Sequence, residues 1–180
     1  EDGPAHPLEL PRRDSQAGAE VVFDGVRFRH GEAEPVLEGI SFRVRPGETL
    51  ALLGPSGSGK STIVNLLLRF YDPEAGRITI DGVDISRVER KGVRTGIAVV
   101  MQEPFLYSKT VGENIRFGRA GAPEDEVTGA AQVAAVHESI VRFEGGYGAL
   151  VGERGVTLSG GQRQRVALAR ALLRQTPILV

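Results

Sequence analysis

The nine residues Gly54-Pro55-Ser56-Gly57-Ser58-Gly59-Lys60-Ser61-Thr62 lie between the apolar run Leu50-Ala51-Leu52-Leu53 and the apolar series Ile63-Val64-Asn65-Leu66-Leu67-Leu68. A glycine-rich turn between an expected strand and an expected helix, spaced G-x-x-x-x-G-K-S, is the pattern of a phosphate-binding loop. Backbone N–H groups must turn inward around the anion there, and side chains at the glycine positions would hinder that approach. Lys60 supplies a mobile cation for the β- and γ-phosphates, and the Ser61 hydroxyl is a candidate Mg²⁺ ligand. The helix that follows points the positive end of its dipole at the same place.

Composition narrows the partners. With 180 residues, 41% of them hydrophobic and 25% charged, the chain is long enough for one globular domain with a real core. A formal net charge of −1 lacks the basic excess of a nucleic-acid binder, so no nucleic-acid partner is expected. The absence of cysteine excludes disulfides and thiolate metal sites. No apolar run approaches the roughly 20 residues that span a bilayer, so a membrane connection has to come through a partner or a segment outside this sequence.

Residues 1–19, with Pro4, Pro7 and Pro11, show no period and read as a linker. Val22, Val26 and Phe28 share one parity, as do Ile40, Phe42 and Val44, which predicts two half-buried strands of an antiparallel layer. The helix after the loop is expected to run to about Phe70, ended by Asp72-Pro73. Arg77-Ile78-Thr79-Ile80 reads as a strand closed by the hairpin dipeptide Asp81-Gly82. Gly96-Ile97-Ala98-Val99-Val100-Met101 reads as a strand buried on both faces. Helices are predicted over 111–117, 123–135, 137–143 and 161–174. Pro177-Ile178-Leu179-Val180 looks like the opening of another buried strand.

Leu158-Ser159-Gly160-Gly161-Gln162 precedes an arginine-rich helix. Ser159 and Gln162 have the S-x-x-Q form of a capping box, while the two glycines leave backbone N–H groups open to an anion. Arg163, Arg165, Arg170 and Arg174 read as a solvated, partly paired helix face.

These features together resemble the nucleotide-binding domain of an ABC transporter. Gly54 to Thr62 matches the Walker A motif, Gln102 in Val100-Met101-Gln102-Glu103-Pro104 the Q-loop, and Leu158 to Gln162 the LSGGQ signature. The likeness covers about residues 21–180 and implies an α/β fold: a P-loop NTPase (RecA-like) core with an antiparallel β layer and a helical signature subdomain at about 103–174. It implies ATP and Mg²⁺ as cofactors. Two such domains pair head to tail in the family, so Ser159, Gly160, Gly161 and Gln162 are expected to meet the nucleotide held by the partner's Walker A loop.

Further roles rest on the same resemblance. Lys60 and Gln102 are the expected catalytic groups, with Ser61 and Gln102 toward Mg²⁺. His30 stands where an aromatic residue usually stacks on adenine, and Val36 is expected against the base or sugar, although it reads equally as a core valine. Glu153 matches the x-loop of the exporter branch and, with the Gln102 region, is expected to meet the coupling helices of a transmembrane domain; read without the resemblance it is an exposed turn acid. The segment 105–115 resembles exporter domains in the same way.

The Walker B aspartate and glutamate of the family would follow Val180. Glu103 is the nearest stand-in by sequence but no obvious substitute for them, and residues 1–180 alone are expected to hydrolyse ATP negligibly. The resemblance implies the motor of an exporter at the cytoplasmic face of a membrane, joined through residues 1–20 to an upstream transmembrane domain. A non-transport ABC ATPase of translation or DNA repair, and a non-catalytic nucleotide-binding module, are the alternatives.

Overall fold

A computed structural model describes residues 8–10, 18–32, 34–152 and 156–180. The chain divides into two compact units, the first running to Ile97 with Thr176–Ile178 and Val180, the second Ala98–Gln175 with Leu179.

In the first unit, β1 (Val21–Phe28), β2 (Leu37–Val44), β3 (Ala75–Ile80) and β4 (Val83–Asp84) form one antiparallel sheet in the order β2-β1-β3-β4. The anticipated parity of β1 holds only for its second half. Val21 and Phe23 are buried, then Val26 and Phe28, with Val22 half-buried. The reason is a bulge: from Phe23 to Val26, β1 advances three residues against two on β2, where a step of one against two follows at Arg27, and from Asp24 to Arg27 it advances three against two on β3. The inserted residue swaps the faces, since side chains alternate along a strand. Ile40, Phe42 and Val44 do share one half-buried face, and Phe42 stacks on its cross-strand partner Phe23 at 4.5 Å. Such a pair adds about 0.5–1.5 kcal/mol beyond its buried area.

The Asp81-Gly82 signal is realised as a turn joining β3 to β4, with φ of 51° and 77° at the two residues. Positive φ at both central positions gives the mirror-image turn whose twist matches paired strands. The helix α1 (Lys60–Leu67) is shorter than expected, because Arg69 adopts φ 51° and turns the chain out of the helix two residues past its end. The buried Arg69 side chain donates to the Val88 carbonyl and to Asp72 Oδ1 at 2.8 Å. Phe23, Val26, Leu66, Ile78, Val88 and Val93, the last on α2 (Arg90–Thr95), are all fully buried.

Two expected strands are corrected. Leu50 to Leu53 belongs to no ladder, and Leu53 is 91% exposed. Of the run Gly96 to Met101, only β5 (Ile97–Ala98) pairs, with β6 (Ile178–Leu179). An apolar run becomes a strand only where a neighbour pairs with its N–H and C=O groups, and the ladders of the described residues include neither Leu50 to Leu53 nor Val99 to Met101.

The second unit is helical. It contains α3 (Val111–Arg116), α4 (Glu124–Val133), α5 (His137–Ile140) and α6 (Gly160–Leu173), close to the four helices predicted. Its core gathers Val111, Ile115, Val127, Val136, Ile140, Val166 and Ala169. Thr110 caps α3 through a reciprocal capping box with Glu113, and Thr110 holds the Glu113 carboxyl below its usual pKa, first through its backbone N–H. Of the linker stretch, only 8–10 and 18–19 are described, and there Leu8 donates its N–H to Arg87 O at 2.7 Å.

Candidate functional site

The glycine-rich loop leaves the sheet after β2 and enters α1 through Gly59. That residue caps the helix at φ 87°, and a Cβ there would lie 2.8 Å from Leu37 and 3.3 Å from Val36. Both the backbone angle and the space therefore demand glycine. The cap makes no side-chain hydrogen bond, the first turn of α1 carries no acid, and the first helical bond is Ile63 N–H to Gly59 O at 3.0 Å. The N–H groups ahead of it are the orphan donors of a helix start, on a loop whose Gly54, Pro55, Ser56, Gly57 and Ser58 are exposed.

Lys60 lies over that loop. Its Nζ donates to Gly54 O at 2.8 Å, Pro55 O at 2.6 Å and Ser58 Oγ at 3.2 Å. All three ammonium hydrogens thus point into the ring of residues where a phosphate would sit, and phosphate oxygens would outcompete neutral carbonyls for them. Ser61 is exposed on the first turn, while Thr62 is buried. Among the described residues no group of three His, Cys, Asp or Glu could hold a metal. The exposed Ser61 hydroxyl fits a Mg²⁺ site in which one protein oxygen joins phosphate oxygens and water as ligands, the usual arrangement with nucleotides.

The same unit sets Val36 against Gly59 of this loop and packs His30 on two aromatic rings. Val36 N–H bonds Phe28 O at 2.8 Å, and the exposed His30 ring meets Phe28 at 4.8 Å and Tyr71 at 5.2 Å, both edge-on. Tyr71 was not anticipated from the sequence. Its signal is only its place, four residues past α1 and directly before Asp72-Pro73.

In the second unit the anticipated capping box of α6 is present. Gln162 N–H donates to Ser159 Oγ at 3.3 Å, and Ser159 N–H to Gln162 Oε1 at 2.9 Å. Ser159, Gly160 and Gly161 are exposed, the first turn is free of acids, and positions beside Gly160 and Gly161 lie 3.9 and 3.7 Å from the guanidinium groups of Arg163 and Arg165. An anion is favoured at such a terminus. Gln102 is exposed, and its carbonyl accepts from Gln164 Nε2 at 3.1 Å; Glu103 is also exposed. Glu153 lies outside the described residues. The loop belongs to the first unit and the signature turn to the second.

The arginine face is solvated and partly paired at Arg163, Arg165 and Arg174, which are exposed, and needs correction at Arg170. Arg163 donates to Leu158 O at 2.7 Å and Arg165 to Ala135 O at 3.2 Å. Arg170 is half-buried, and burial pulls its pKa down from the ordinary arginine value. It binds the backbone 56 residues away, at Asn114, a fully buried side chain that sequence reasoning did not single out. No local pattern marks so distant a pairing.

Comparison with known proteins bears on this geometry. The family described as ABC transporter matches residues 37–180. The beta-(1→2)glucan export ATP-binding/permease protein NdvA of Brucella suis is 49% identical over 161 residues, covering 89% of this chain and 27% of that protein. Human ATP-binding cassette sub-family B member 6 is 49% identical over 160 residues, covering 89% of this chain and 19% of its own. A solved structure of a bacterial Atm1-family ABC exporter with ATP bound superposes with a TM-score of 0.85 at 45% identity, over 98% of this chain and 30% of that one. The chain thus spans between 19% and 30% of the length of these relatives.

Proposed function

The chain belongs to the ABC transporter family, and from that membership we propose that it is the ATP-binding motor domain of an exporter, turning over ATP to move a substrate across a membrane. The observation that carries this reading is Lys60, whose ammonium group is held over the loop Gly54 to Ser58 beside the uncapped start of α1. A triphosphate entering the loop takes these donors, and the N–H groups of the loop and helix start receive its oxygens. Ser61, and on the family likeness Gln102, would hold Mg²⁺, which neutralises charge on the phosphates when bound.

On this reading the rings of His30 and Tyr71, with Val36, meet the nucleoside end. The signature turn from Ser159 to Gln162 serves the nucleotide of a second nucleotide-binding domain in a head-to-tail pair. The Gln102 and Glu153 regions meet the coupling helices of a transmembrane domain, and exposed Phe105 and Tyr107 offer that partner apolar surface. Residues 1–20 form the linker to that domain, 21–180 the nucleotide-binding domain, and about 103–174 its helical subdomain. No described helix is long and apolar enough to cross a membrane, so attachment to its cytoplasmic face falls to the transmembrane portion.

The test is calorimetric titration of the complete polypeptide in nanodiscs with Mg²⁺ and an ATP analogue, followed by turnover of ATP. Saturable binding with Mg²⁺-dependent phosphate release is expected. Equal heats with and without a triphosphate would dismiss the reading.

A further inference from the structure

We propose that Arg170 is a positioning residue that joins the signature helix α6 to residues 102–110, so that a displacement of the Ser159 turn reaches that segment. The inference rests on the reading of the signature turn as a nucleotide contact.

The guanidinium group of Arg170 makes three hydrogen bonds. Nε donates to Asn114 O at 2.8 Å, one terminal nitrogen to Phe105 O at 3.0 Å and the other to Asn114 Oδ1 at 3.0 Å. A rigid planar fork held at three points fixes orientation as well as distance. Asn114 in turn gathers the segment: its Oδ1 accepts from Tyr107 N–H at 2.9 Å, and its Nδ2 faces the carbonyls of Tyr107, Thr110 and Lys109 at 2.9, 3.0 and 3.4 Å. A second tie lies six residues nearer the signature, where Gln164 Nε2 donates to Gln102 O at 3.1 Å. Helix α6 therefore holds the segment directly at Gln102 and Phe105, and through Asn114 at Tyr107 to Thr110.

That helix has little slack. Val166, Ala169 and Leu173 anchor it in the core, and a Cβ on Gly118 would run into the Arg170 carbonyl, so the chain just past α3 lies directly on the α6 backbone. Arg170 sits eleven residues from Ser159, about 16 Å along the axis at 1.5 Å per residue. The hydrogen bonds act on backbone atoms of the segment, the guanidinium also lies 5.8 Å from the centre of the Tyr107 ring, and the Phe105 side chain stays exposed.

Hydrogen exchange of the complete polypeptide, with and without Mg²⁺ and adenylyl-imidodiphosphate, tests this. In the unmodified protein, nucleotide is expected to change exchange at 158–163 and at 105–110 together. In Arg170→Ala, the response at 158–163 stays within about twofold while that at 105–110 falls about threefold or more. Nucleotide-free exchange at 105–110 holds within about twofold, because Asn114 still orders the segment. Asn114→Ala serves as the structural contrast and raises nucleotide-free exchange there. Arg170→Lys, which keeps the charge without the fork, gives an intermediate response and covers the case in which Arg170→Ala fails to fold. Undiminished joint responses in Arg170→Ala, or in Arg170→Lys, overturn the inference alone. No response at 158–163 in the unmodified protein overturns the reading of the signature turn, and the inference with it.

Discussion

The Ser159 hydroxyl accepts the Gln162 N–H at 3.3 Å, so the oxygen is engaged by its own helix while its single proton remains available to donate. One side chain can therefore cap α6 and present a donor to an anion. The two roles separate by substitution. Ser159→Ala loses both and lowers stability by about 1 kcal/mol, whereas Ser159→Asp keeps a good cap but sets a negative charge against a phosphate. ATP turnover is expected to collapse in both variants, with the thermal midpoint lowered only in the first. Normal turnover in Ser159→Asp would confine the residue to capping.

Lys60 makes its three bonds within an exposed loop. Lys60→Ala should leave the melting curve nearly unchanged while weakening Mg²⁺-ATP binding by roughly tenfold to a hundredfold, the range of about 1.5–3 kcal/mol for hydrogen bonds to charged groups. Titration with a fluorescent ATP analogue measures it. Affinity within twofold of the parent would place the phosphates elsewhere.

The depressed pKa of Glu113 has a sign. Its ordinary value is 4.5 and the Thr110 contacts lower it in the folded chain, so the unfolded state takes up the proton first. The stabilisation is present above pH 4.5 and fades as pH falls through the lowered folded value. Urea midpoints measured down that acid range should drop more steeply for the parent than for Glu113→Gln, which keeps a capping side chain that does not titrate. Parallel curves would contradict the assignment.

At the β3–β4 turn, Gly82 has φ 77° and nothing lies within 4 Å of a Cβ placed there. Gly82→Ala is therefore a pure test of backbone strain, expected to cost about 1 kcal/mol in chemical denaturation. An unchanged midpoint would mean that the turn relaxes to another form.

What was legible in the sequence was whatever a few neighbouring residues decide together. The loop from Gly54 to Thr62, the Ser159–Gln162 box and the Asp81-Gly82 turn are local devices, and each has the geometry its residues dictate. The misplaced parity of Val22 has a different origin, because a bulge is defined by the partner strands and no period within β1 announces it. Leu50 to Leu53 enters no ladder among the described residues, and ladder pairing is decided by chain far from the run itself. Arg170 was misread because its partners, Phe105 and Asn114, are 65 and 56 residues away, and an arginine on a helix looks the same whether it meets water or a buried amide.

The extra residue of β1 also limits how the sheet can be assembled wrongly. Sliding an evenly alternating strand by two positions restores the same faces, so such errors are hard to penalise. A strand whose phase reverses midway has no such equivalent: any shift misplaces either the Val21 and Phe23 half or the Val26 and Phe28 half. The irregularity works as a detent, giving the sheet that leads into the phosphate loop one setting in which all four side chains face inward.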